Sequence, residues 1–108
     1  MTDIVSTIKL AKPIQTHKGA VDTLELKEPT ARLYVAHGSP FEITTKDNQV
    51  SFVYNDKATM AFAAEMTGHD EIILGALAAR DWLKLRTKIT DVILGVLGTD
   101  GPFELQNG

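Results

Sequence analysis

The sequence predicts a small α+β domain, with N-terminal β-hairpins followed by a C-terminal bundle of about three helices, the last one long and amphipathic. Three observations carry that prediction. Before residue 55 the apolar residues alternate with the two-residue period of strands, and turn-forming residues divide the segments. After residue 56 the period lengthens, and alanine, methionine and leucine, all good helix formers, dominate. At 108 residues, 44% hydrophobic and 23% charged, the chain has the material for one core and little beyond it.

The elements follow in order. Thr7 to Ile14 reads as a strand with Ile8, Leu10 and Ile14 on one face. Lys12 breaks its alternation, and Pro13, which cannot donate to a ladder, marks an edge position. The segment QTHKGA is a turn in which Gly19 is free to adopt positive φ. Val21 to Lys27 is the return strand, with Leu24 and Leu26 sharing a face. Glu28 and Pro29 then open a short helix over Ala31–His37, Pro29 suiting a first turn where its missing N–H loses nothing. Leu33, Tyr34 and His37 are its candidates to face a core, and Gly38 fits a left-handed cap before Ser39-Pro40.

Phe41–Thr45 and Val50–Tyr54 alternate around the turn sequence KDNQ and predict a second hairpin, with Phe41, Ile43, Val50, Phe52 and Tyr54 as apolar contributors. Asp56 is placed to cap a helix over Lys57–Thr67 that stops at Gly68. Asp70 is placed to cap a short helix over Glu71–Leu77, and after a break a long helix is expected over Ala79–Leu97. Residues 1–98 are thus expected to form a single domain, and 99–108 a loose tail.

The long helix sorts into three sectors at about 100° per residue. Trp82, Leu85, Ile89, Val92, Ile93 and Val96 form a core stripe with heptad-like spacing, a seam through which the chain could also self-associate. Arg80, Lys84, Lys88 and Asp91 lie opposite, toward water. Leu83, Leu94 and Leu97 form a third, apolar sector beyond the width a surface helix needs. Either that sector packs on a neighbouring element, or it contacts another polypeptide. Met60 and Met66 could add an adaptable binding surface, or simply fill the core.

Chemistry is scarce. The chain has no cysteine, which excludes disulfides and thiolate metal sites. His17, His37 and His69 have no metal-ligand spacing, and no nucleophile-elbow, zinc-protease, P-loop or dinucleotide motif occurs. Lys84, Arg86 and Lys88 make a small basic cluster, but Asp81 and Asp91 dilute it and the net charge is −3, which argues against nucleic-acid binding. No apolar run approaches a membrane span or a signal-peptide core. No enzymatic activity, metal or cofactor is expected, and the expected location is cytoplasmic.

Two motifs together have a further meaning. IKLAKPI with Lys12 and Pro13, the turn glycine Gly19, and LELKEPTA with Leu24, Leu26, Lys27, Glu28, Pro29, Thr30 and Ala31 resemble the opening of phage tail assembly chaperones of Mu-like and related contractile-tailed phages. Downstream, Leu74, Leu77, the pair Asp81-Trp82 and ITDVILGVL resemble that family's closing amphipathic helix. The resemblance implies a non-catalytic chaperone that binds the long, helix-rich tape measure protein, with the tail tube protein as a possible second partner. It implies action in the cytoplasm of the infected or lysogenic bacterial host and absence from the finished virion. On that reading Leu83, Leu94 and Leu97, with Met60 and Met66 second, are the expected client surface, while Pro13, Gly19, Leu24, Leu26, Glu28, Pro29, Asp81 and Trp82 are structural. A structural minor tail or connector protein, or a small nucleic-acid-binding regulator, are the alternatives.

Overall fold

The computed structural model describes residues 4–99, with side chains as far as Gly95. Its elements are β1 (Ile4–Thr16), β2 (Gly19–Lys27), α1 (Ala31–His37), β3 (Phe41–Lys46), β4 (Gln49–Tyr54), α2 (Asp56–Thr67), α3 (Glu71–Leu74) and α4 (Ala79–Thr99). The α+β class predicted from the sequence holds: two antiparallel hairpins form two separate two-stranded sheets, and α2, α3 and α4 follow them. Past Thr99, the expected loose tail lies outside the described residues.

The β1–β2 hairpin turns through His17 and Lys18, and Gly19 at φ 106° supplies the positive φ foreseen there. Ile8 sits opposite Leu24, and Ile8, Leu10, Ile14, Leu24 and Leu26 are all buried on one face. β1 is longer than the strand expected over 7–14, because Ser6 and Ile4 continue the pairing against Leu26 and Lys27. Pro13 has a larger effect than marking an edge. The ladder is interrupted between Lys9 and Ile14, so that Leu10 to Pro13 bulge opposite Asp22 alone. The bulge leaves the N–H groups of Ala11 and Lys12 without ladder partners.

α1 begins after Thr30, which occupies the N-cap, so Pro29 stands just outside the helix rather than in its first turn. Leu33 is buried, and Tyr34 meets Phe62 edge-on with ring centroids 5.0 Å apart, but His37 faces solvent. Gly38 has positive φ, 79°, yet its ψ of −176° leads the chain out extended rather than left-handed. For α2 the cap is Asn55, whose Oδ1 accepts from Ala58 N at 3.1 Å; Asp56 is the first helical residue instead. Asp70 holds the cap position of α3 but its carboxylate makes no capping bond. α3 is one turn, shorter than expected, and residues 75–78 form the break before α4.

β3 and β4 join through Asp47 and Asn48, both with positive φ (53° and 65°), as a two-residue hairpin turn of the primed kind requires. Their predicted contribution to the core is only partly realised. Phe41 is buried and Tyr54 half-buried, but Ile43, Val50 and Phe52 are 41%, 64% and 38% exposed. The reason is length. The hairpin is fixed at its root, where Asn55 N donates to Pro40 O at 2.8 Å and Thr59 Oγ1 to the same carbonyl at 3.2 Å, and its remaining residues run past the core.

The core lies between the β1–β2 hairpin and the helices, with α4 against β1 and α2 against β2. Phe62, Met66, Leu74, Leu85, Ile89 and Ile93 are its centre, beside the five apolar residues of the first hairpin. The heptad-like stripe of α4 is therefore spent inside the protein, with Trp82 and Val92 half-buried and packed against the same cluster. Among its described residues none is left fully exposed to form a seam. Val96 lies outside the described side chains.

Candidate interaction surface

Position 81 organises the site's scaffold. Asp81 has 0% of its surface exposed, and its two oxygens accept from Ala11 N at 2.9 Å and Lys12 N at 3.1 Å. These are the donors that the Pro13 bulge removes from the ladder, so one carboxylate satisfies both. The Ala11 hydrogen bond is the main reason the Asp81 carboxyl titrates below its ordinary value; Lys12, Lys84 and Arg80 act in the same direction, against the burial that opposes them. Lys84 Nζ adds a second tether, donating to Lys9 O at 2.7 Å. In the sequence Asp81 dilutes a basic patch, and the family resemblance implies a structural role for it. Its spacing held the better signal, since 81, 85 and 89 step by four along the buried face.

The other flank of α4 is held by Arg86. Its guanidinium carbon lies 4.0 Å from the centre of the Tyr54 ring, and Nη1 reaches Asp56 Oδ1 at 3.1 Å. Of the basic cluster Lys84, Arg86 and Lys88, two members are thus committed within the protein and the third is half-buried. That arrangement is not a free cationic face for a phosphate backbone.

Between α2, the α3–α4 break and the start of α4 lies an open groove of about 420 Å³, lined by Met60, Leu74, Gly75, Leu77 and Trp82, with Asp56 and Lys57 at its rim. Of the residues expected to contact a client, Met60 is half-buried here. Leu83 is 49% exposed on α4, and Leu94 is half-buried against the core. At about 100° per residue the two leucines share one side of α4, opposite Asp81. The Leu97 side chain lies outside the described residues. Met66 is 1% exposed and offers no surface. The β3–β4 hairpin, whose apolar contributors the sequence marks, adds the exposed Ile43, Val50 and Phe52. Phe52 stacks on Tyr54 with centroids 6.1 Å apart, and Tyr54 is the ring under Arg86, so the hairpin face and the groove rim at Asp56 share one anchor.

In the LELKEPTA segment Leu24 and Leu26 are wholly buried, and Glu28, exposed, and Pro29, half-buried, lead into α1. A larger groove, about 900 Å³, gathers all three histidines, His17, His37 and His69, although they are far apart in sequence. Glu65, Asp70 and Glu71 share it, and His17 Nε2 lies 3.6 Å from Asp70 Oδ2. Among the described residues no three histidine or carboxylate side chains converge as metal ligands, and no helix is long and apolar enough to cross a membrane.

Asp81, Lys84 and Arg86 are committed to tethers within this small α+β framework, while Leu83 and the second hairpin present apolar side chains to solvent. The family model described as phage tail assembly chaperone proteins, E, or 41 or 14, matches residues 7–94. The chain belongs to that family, and its partners are proteins of tail assembly. Searches of curated proteins and of solved structures returned no match.

Proposed function

We propose that this chaperone binds the tape measure protein of its phage and keeps it competent for assembly until the tail tube forms around it. The supporting observation is the exposed Leu83 of α4 together with the open Met60–Trp82 groove, in a chain whose family acts in tail assembly. A long helical client with bare apolar faces aggregates unless those faces are covered. An apolar helix laid along Leu83 and Leu94, with a side chain in the Met60–Trp82 groove, would be covered by helix-in-groove packing. The tail tube protein is a possible second partner. The chaperone acts in the host bacterial cytoplasm and leaves before the virion is complete.

Replacing exposed Leu83 alone with a polar residue should leave the circular dichroism spectrum unchanged and weaken co-purification with co-expressed tape measure protein, and adding polar residues at Leu94 and Leu97 should abolish it. Unchanged co-purification would reject this surface. Mass spectrometry of purified particles should find the tape measure protein and not the chaperone; a stoichiometric signal from the chaperone would make it a tail component instead.

A further inference from the structure

The β3–β4 sheet has only two strands, and among the described residues no other strand pairs with either edge. The polarity of the β3 edge follows from the register. Lys46 and Gln49 close the two-residue turn, and Asn55 N donates to Pro40 O at the other end. In an antiparallel ladder the hydrogen-bonded pairs alternate, so Glu42, Thr44 and Lys46 turn their backbone groups inward to β4. Phe41, Ile43 and Thr45 then turn theirs outward. From Glu42 to Lys46 every residue of this strand is exposed.

We infer that β3 pairs with β3 of a second copy of the chain, antiparallel about a two-fold axis at Thr44. In this register Ile43 faces Thr45 of the second copy, and both present outward backbone groups, so the pair exchanges hydrogen bonds. Glu42 falls opposite Lys46 of the second copy in a non-hydrogen-bonded pair, where side chains approach most closely. The two-fold makes that ion pair twice. Shifting the axis to Ile43 or Thr45 loses the match, setting Glu42 against Thr44 or against the Asn48 turn. Neither Glu42 nor Lys46 has an ion-pair partner among the described residues. The result is a four-stranded sheet, β4–β3–β3–β4, in which Ile43, Val50 and Phe52 of both copies lie on one side. That completion answers the weakness of an isolated two-stranded hairpin in water. The area involved is well below the roughly 800 Å² per partner of a standard interface, so the dimer is weak and concentration-dependent.

Sedimentation equilibrium across a series rising to about 1 mM, a range suited to weak association, should show the mass doubling from 11.8 kDa. Glu42→Lys and Lys46→Glu should each remain monomeric when alone. Mixed in equal amounts they should dimerise, because the new lysine at 42 meets the new glutamate at 46 and the retained pair is still opposite in charge. Thr45→Pro, which removes an outward N–H and leaves the β3–β4 ladder intact, should also be monomeric. Amide exchange at Ile43 and Thr45 should slow as concentration rises. A wild-type chain that keeps its monomer mass throughout the series overturns the inference. So does a variant mixture that stays monomeric, or protection of these two amides only when a client is added.

Discussion

Asp81 shows how one residue can settle the relation between two distant parts of the chain. Pro13 forces a bulge, the bulge frees two N–H groups, and a carboxylate about seventy positions later takes both. The carboxyl is held below its ordinary value in the folded state, so the unfolded chain binds the proton more readily. Its stabilising effect is complete above the unfolded value and disappears as pH falls through the lower folded value. Urea titrations of wild type and Asp81→Asn should show the variant less stable at neutral pH and the gap closing in acid; a gap independent of pH would contradict the assignment. Asp81→Asn should also be more destabilising than Lys84→Ala, which loses one exposed tether. At the opposite flank, Arg86→Ala should cost about 1 kcal/mol by thermal or urea unfolding, the usual scale of a half-exposed cation–π contact with an exposed ion pair.

At the scale of elements, α4 divides its apolar residues between a core and a surface, and the division is measurable. Leu85 is fully buried, so Leu85→Ala should cost about 2–5 kcal/mol. Trp82, half-buried at the groove, should cost less when replaced by alanine despite its size, and a larger loss at Trp82 than at Leu85 would contradict the packing described. Helix and strand identities were legible because period and punctuation agree: Gly68 stops α2 and Gly19 turns the first hairpin, as their positions suggested. Caps were less legible, since Asn55 and Asp56 are both good N-cap types and only the backbone path chose Asn55. The β3–β4 hairpin was legible as a hairpin, but not the exposure of its apolar face. Alternation reveals which residues share a face, as Ile43, Val50 and Phe52 do, but not whether anything covers it. The three histidines are a similar case, brought to one groove by a topology that spacing does not encode.

For the whole molecule, the consequence is a division of labour. The β1–β2 hairpin, α2 and the inner face of α4 make the core, and the tethers from Asp81, Lys84 and Arg86 hold α4 in place. The exposed apolar group includes Leu83 on α4 and the second hairpin, beside the half-buried Met60–Trp82 groove, together with Val35 on α1, Ile72 on α3 and Ile4 and Val5 on β1. Leu24 and Leu26 of the family motif LELKEPTA belong to the first group. The central claim is that the exposed group keeps the tape measure protein soluble. The direct measurement is the soluble fraction of tape measure protein expressed alone, with the wild-type chain, and with the chain carrying polar residues at Leu83, Leu94 and Leu97. The account predicts a client that is soluble with the wild type and insoluble in the other two cases. A client equally soluble in all three would contradict it.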